Sequence, residues 1–529
     1  MKICVFFTFL LAASASAQVK VPFERIRHAA DEPGNWLTYG GNYNGHRHSM
    51  LEQITPKNVA ALKPAWVYQS REAGRWEVTP LVVDGIIYVS ERPNIVTALD
   101  GRTGRPLWNY RRPLPDDVPA CCGPVSRGLA VLGDAVYLNT FDCHLVCLDA
   151  NTGKERWDSV VTNYKNGYSI TAAPLAVKDK IIVGISGAEY GIRGFLDAYD
   201  AKTGARAWRF WTIPSEGEPG NESWGTNGAW KTGGASTWIT GTYDPDLNLV
   251  YWGTGNPGPD YNGDVRPGDD LYSCCVVALN ADTGILQWHY QYTPHDVHDW
   301  DSAQVPLLID AKVNNKPRKL LVQANRNAFF YVLDRVTGEF ITGKAFAKQT
   351  WASGLDAKGR PILIPDKEPS ADGTLVYPGL EGAVNWPSPS YSPQTGLFYA
   401  HAQDDYGQVF YKSNPEYEVG QVYTGGDPRN VLGAEPYGVV KAIEATTGTV
   451  KWEFREVAQS NAAMLSTGSG LVFTGTYDGY FYALDAVKGK PLWQFQTGAS
   501  IQGGPVTFLV NGKQYVAVAA GGGLFAFAL

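Results

Sequence analysis

Short segments in which apolar and polar residues alternate recur along the chain, each closing on an acidic or amide residue, then Thr-Gly, then a tryptophan a few positions on. The clearest copies are Ala98-Leu99-Asp100 with Thr103-Gly104 and Trp108, Cys147-Leu148-Asp149 with Thr152-Gly153 and Trp157, and Ala198-Tyr199-Asp200 with Thr203-Gly204 and Trp208. Ala278-Leu279-Asn280 with Thr283-Gly284 and Trp288 repeats them, and Val332-Leu333-Asp334 with Thr337-Gly338 does so without the tryptophan. Ala442-Ile443-Glu444 with Thr447-Gly448 and Trp452, then Ala483-Leu484-Asp485 with Gly489 and Trp493, complete seven copies. Alternation with period two predicts strands, the glycine supplies the positive φ of a tight turn, and the acidic residue opens that turn. Repeats spaced by about 50 residues predict four-stranded blades around an axis. The stretch Tyr391 to Tyr399 parallels Tyr243 to Tyr251 and marks an eighth blade. Leu62 to Tyr68 is expected to be the outer strand of the final blade, closing the ring so that no sheet edge is left free. The recurrent tryptophan is read as a plate docking one blade on the next. The expected fold is all-β, an eight-bladed β-propeller with tryptophan-docking motifs, formed as a single domain by residues 18–529.

Composition agrees and narrows the function. Glycine (58), proline (33) and tryptophan (17) are abundant in the 529 residues, as many short strands and tight turns require. The net charge is −7, from 52 acidic against 45 basic residues, which provides no basic stripe for phosphates and argues against nucleic acid as a partner. Residues 1–17 carry Lys2, an apolar run and a small-x-small end at Ala15, Ser16 and Ala17, the pattern of a cleaved export signal. The run is far shorter than the roughly 20 residues a membrane span needs. Export to the periplasm is expected, with six of the seven cysteines left in an oxidising compartment.

Three features exceed what blade packing requires. Cys121 and Cys122 are adjacent, so they are either separately buried thiols or a strained eight-membered disulfide ring forming a rigid sulfur surface at a ligand site. Cys274 and Cys275 read as strand residues facing opposite sides, and Cys143 and Cys147 as strand residues roughly 13 Å apart, too far to bridge. Glu189, Asn256, Asp299 and Asp301 form the oxygen set that a hard cation prefers. His295 and His298 have an H-x-x-H spacing, but without a helix or a nearby cysteine they do not point to zinc.

With these motifs the chain resembles the pyrroloquinoline quinone (PQQ)-dependent alcohol dehydrogenases over nearly its whole mature length. The matching segments are Glu77-Val78-Thr79-Pro80, Cys121-Cys122 with Arg127-Gly128-Leu129, Ser186-Gly187-Ala188-Glu189, Gly253-Thr254-Gly255-Asn256-Pro257, Thr293-Pro294-His295-Asp296 with Asp299, and Arg326-Asn327. The resemblance implies that PQQ lies between a Cys121–Cys122 disulfide and the Trp238 indole. It implies that Glu77, Arg127, Thr171, Ser186, Gly187, Ala188 and Asn385 hold its rim. Glu189 and Asn256 hold a metal ion, Asp299 is the general base that takes the alcohol proton, and Arg326 hydrogen-bonds the reacting quinone oxygen.

Asp301 bears on the metal. Members of the family that use calcium usually carry a small uncharged residue there, and those that use a lanthanide carry Asp. Glu189, Asp299 and Asp301 together present three negative charges, which balance a trivalent ion and leave an excess on a divalent one. A lanthanide is therefore expected, with calcium as the alternative. The chain lacks a Cys-x-x-Cys-His haem motif, so electrons are expected to leave through a separate soluble cytochrome c. Ser460-Asn461-Ala462 stands where the family would place a tryptophan, which bears on pocket size and substrate. The expected activity is oxidation of a primary alcohol to the aldehyde. A calcium enzyme for a larger alcohol or polyol and a non-catalytic propeller scaffold are the alternatives, and a homodimer stands open beside a monomer.

Overall fold

Asp149 shows why the repeat folds as it does. Its carboxylate accepts from the backbone N–H of Asn151 and Thr152 and from the Thr152 hydroxyl, at 3.0, 2.9 and 2.9 Å, and so holds the reversal closed. Gly153 then takes φ +70°, and a Cβ there would lie 2.4 Å from the Trp108 ring of the preceding blade. That contact joins the turn chemistry to blade docking: the indole lies flat on a glycine because no side chain fits between them.

In this computed structural model, which describes residues 18–529 apart from 73, 415, 434–436 and 458, the repeat builds eight antiparallel sheets around an axis. Seven occupy 81–111, 130–160, 175–211, 242–291, 307–345, 390–455 and 465–496 in order. The eighth combines the last three strands, within 506–528, with Lys63–Gln69, which pairs antiparallel with Gly523–Ala528 and closes the ring. Trp66 of this outer strand packs on Gly104 of the first blade, and its Nε1 donates to Gly101 O at 3.1 Å. Trp157, Trp208, Trp288 and Trp452 repeat the arrangement on Gly204, Gly284, Gly338 and Gly489. In the blade without its tryptophan, Gly448 of the next blade meets Phe330 and Lys344 instead.

One expectation is corrected. Tyr391 to Tyr399 does not found an eighth blade; Ser390–Ser392 and Leu397–Asp404 are the two inner strands of the blade that carries Trp452. The eighth blade is the ring-closing one, whose strands carry no Asp-Thr-Gly-Trp signature. The proposed export signal, 1–17, lies outside the described residues.

Gly153→Ala is expected to lower stability by about 1–3 kcal/mol through overpacking, since the methyl must displace the Trp108 plate. Urea or thermal unfolding measures it; an unchanged midpoint would show that the blade contact yields without cost.

Candidate active site

Each blade sends two loops to the same end of the ring, one entering its innermost strand and one linking its second and third strands. Nearly all the chemistry named above lies in these loops. Glu77, Cys121–Arg127, Thr171, Trp238, Asp299–Asp301 and Asn385 precede innermost strands; Ser186–Glu189, Asn256 and Arg326 follow second strands. Backbone bridges between Thr79 and Gly128, Ser169 and Ser186, and Gly234 and Pro257 tie these loops together. A rigid scaffold thus carries irregular segments that need not serve packing.

The loops enclose a cavity of about 290 Å³. Glu77, Cys121, Cys122, Arg127, Thr171, Ser186, Gly187, Trp238 and Asn385 line it, with Glu189, Asn256, Asp299, Asp301 and Arg326. Ala188 is the exception: it is buried with its methyl toward Gly234, so its side chain does not form the wall. Cys121 and Cys122 are free thiols here, within 4.8 Å of a Glu189 oxygen. The Cys122 hydrogen bond, burial and Glu189 push the Cys121 thiol pKa up. Cys143, Cys147, Cys274 and Cys275 are free and buried. Cys274 has φ +47° just before strand Cys275–Asn280, so the two do not alternate along one strand as expected.

At one end of the cavity, Glu77 and Arg127 are buried and paired at 2.6 Å. The Arg127 guanidinium carbon lies 4.9 Å from the ring centroids of both Trp238 and Trp386. Arg127 Nε and Nη1 are buried without a hydrogen-bond partner, two donors that need an anionic or carbonyl acceptor. Nearby, the Thr171 and Ser186 hydroxyls meet at 2.9 Å. Aromatic rings beside a guanidinium with unpaired donors fit a flat, acidic quinone, so the residues present suit PQQ.

The other end gathers carboxylates. Asp301 Oδ1 accepts from the Asn256 backbone N–H at 2.9 Å, while its Oδ2 pairs with Arg326 Nη1. The same Arg326 nitrogen lies 3.8 Å from Asp299 Oδ1, and Arg326 Nη2 donates to Leu380 O at 2.7 Å. Glu189 sits in the short turn Ala188–Tyr190, its carbonyl accepting from Tyr423 N–H at 2.7 Å. Burial, with Asp301 close by, holds the Glu189 carboxyl above its usual pKa. Burial raises Asp299 well above its ordinary value; Arg326 opposes this, while Asp301, Asp260 and Glu189 add to it. Burial works against the Arg326 charge, but Asp301 and Asp299 outweigh it and keep the guanidinium firmly protonated. The oxygens of Glu189, Asp299 and Asp301 do not all lie within 4.8 Å of one another, so a bound cation would have to draw them together, relieving this mutual repulsion; their chemistry, with Asn256, suits a hard metal ion.

Several residues of the site were not anticipated. Arg75 reaches in from the rim, donating to Cys122 O at 2.6 Å and pairing with Glu77 at 3.1 Å. Trp386 adds a second indole, Glu381 accepts from Asn385 Nδ2 at 2.8 Å, and Tyr477 accepts from Asn461, the pocket position the sequence did point to. Trp386 follows Asn385 directly, so its position carried a signal; Arg75 and Tyr477 stand in sequence contexts that packing alone explains. Asp260 is buried behind Asn256.

Comparison with known proteins identifies the family and the fold. Residues 36–345 match the family described as glucose/ethanol/alcohol dehydrogenase, beta-propeller domain, and residues 407–529 match that described as outer membrane protein assembly factor BamB. The quinoprotein alcohol dehydrogenase PedH of Pseudomonas putida is 38% identical over 543 residues, covering 97% of this chain and 90% of that protein. The structure of the quinohemoprotein alcohol dehydrogenase of Comamonas testosteroni aligns with a TM-score of 0.91 at 36% identity, covering 96% of this chain and 82% of that one. A europium-containing methanol dehydrogenase aligns with a TM-score of 0.91 at 34% identity, covering 96% of this chain and 100% of that one.

Proposed function

The chain belongs to the PQQ-dependent alcohol dehydrogenases and oxidises alcohols, and on that footing we infer that it is a periplasmic enzyme for primary alcohols that works with a lanthanide ion and a soluble c-type cytochrome. The observation that carries the lanthanide reading is that Glu189, Asp299 and Asp301 line one cavity together with Asn256. The likeness to a europium-containing methanol dehydrogenase supports it. Bound PQQ supplies the two-electron acceptor, and the cation beside it supplies a Lewis acid.

In this reading the residues divide the work. Glu77, Arg127, Thr171, Ser186, Gly187, Trp238 and Asn385 grip the cofactor, with Ala188 contributing only backbone. Glu189, Asn256, Asp299 and Asp301 hold the cation. Asp299 takes the alcohol proton, and Arg326 directs its positive charge at the acceptor end of the cavity. Cys121 and Cys122, free thiols in the structure, would close into a disulfide plate on oxidation in the compartment to which 1–17 are proposed to direct the chain. Residues 18–529 act as one domain. Among the described residues no helix is long and apolar enough to cross a membrane.

A calcium enzyme for a larger alcohol or polyol is the second reading. It is favoured by the Arg326–Asp301 pair, which offsets one of the three carboxylates, and by the polar Asn461–Tyr477 wall. Dye-linked oxidation by metal-free protein reconstituted with PQQ, comparing lanthanum with calcium over a panel of alcohols and polyols, separates them. Activity with lanthanum on short primary alcohols is the expected result; activity with calcium alone overturns the metal assignment.

A further inference from the structure

Asp260 has no part in the roles above, yet it is 1% exposed and lies within the electrostatic reach of Glu189 and Asp301. Its Oδ1 accepts from Asn256 Nδ2 at 2.8 Å, and the same nitrogen points toward Pro257 O at 3.5 Å. Carbonyl and carboxylate oxygens both accept, so this pair of partners fixes which end of the Asn256 amide is nitrogen. The amide oxygen is thereby turned away from Asp260. The loop that carries Asp260 is itself pinned: buried Arg266 donates to Pro259 O at 3.1 Å and pairs with Asp270 at 2.6 Å, and Tyr261 N–H donates to Thr424 O at 2.9 Å. Neither anchor touches the cavity wall.

We propose that Asp260 is a positioning residue of the cation site, holding the Asn256 side chain by its N–H so that its oxygen is presented to the ion beside Glu189. The proposal rests on the metal-dependent reading above and deepens it. Without the carboxylate, the Asn256 amide is free to rotate about its last torsion and offer a nitrogen, which a hard cation does not bind. Groups that orient a ligand in this way commonly change metal affinity by about 10–100-fold when removed.

Europium(III) added to the metal-free, PQQ-loaded protein is the probe, read by its luminescence and by the excited-state lifetime in H₂O and D₂O, which counts bound waters. Asp260→Ala is expected to weaken europium binding by about tenfold or more and to add a bound water. Asp260→Asn, which keeps an acceptor oxygen at the same reach, is expected to regain most of that loss. In an Asn256→Ala background, Asp260→Ala is expected to cost little more, because the two residues act through one contact. Unchanged affinity and hydration in Asp260→Ala, equal losses in the Ala and Asn variants, or additive losses in the double variant would each overturn the positioning role. Failure of the unsubstituted protein to bind europium would instead overturn the lanthanide reading itself.

Discussion

Asp299→Asn is expected to lower kcat by about 10²–10⁴-fold while PQQ stays bound. The side chain stands on the cavity wall with 15% of its surface exposed, projected there by a left-handed backbone at φ +60°. Burial holds the Asp299 carboxyl well above its ordinary pKa and Arg326, 3.8 Å away, opposes that rise, so a bound cation would be what restores the ionised form a base requires. The substitution preserves shape and leaves an amide oxygen for the cation, and it removes only the capacity to take a proton. Among the described residues, the cofactor grip built on the Glu77–Arg127 pair shares no hydrogen bond or ion pair with Asp299 and is left in place. Single-turnover kinetics and the absorbance of the bound quinone distinguish the outcomes. A large fall in rate at full quinone occupancy supports the base role. Full activity would assign the proton to another carboxylate, and loss of the quinone would make Asp299 a binding residue.

The blades were legible because their signature is periodic and each part has a local cause: Asp149 closes its own turn, Gly153 supplies the positive φ, and Trp108 fills the space a side chain would occupy. The ring-closing blade was legible only through its outer strand, since its inner strands lack the turn signature and Tyr391 to Tyr399 mimicked a separate unit. The site residues carried by motifs, such as Arg127 and Glu189, fall on one cavity because every blade sends its variable loops to the same end. What the sequence hid is pairing and burial. The charge balance of Glu189, Asp299 and Asp301 left out Arg326, which pairs with Asp301, and Asp260, which is buried nearby. Counting all five groups as ionised returns the balance to −3, from four carboxylates and one guanidinium. No linear pattern marks Asp260, because an aspartate in a Pro/Gly-rich loop has the appearance of a solvated turn residue.

That balance gives the second large effect. Asp301→Ser is expected to cut the preference for lanthanum over calcium by about tenfold or more, at a metal site where one full charge faces the ion. Two consequences of the structure shape the expectation. Asp301 Oδ1 caps the Asn256 backbone N–H at 2.9 Å, and a serine hydroxyl, being shorter, does not reach both that N–H and the ion. Asp301 is also the tightest partner of Arg326, so its loss frees a buried guanidinium to turn toward Asp299. The first effect weakens binding of either metal, and the second weakens a trivalent ion more, because the freed cation stands closer to the remaining ligands. The ratio of the two apparent metal affinities, measured by titrating metal-free protein, is therefore the informative quantity. A lowered ratio supports the charge argument. A ratio unchanged while both affinities fall would mean that Asp301 acts through the Asn256 amide alone, leaving the choice of metal to the remaining carboxylates.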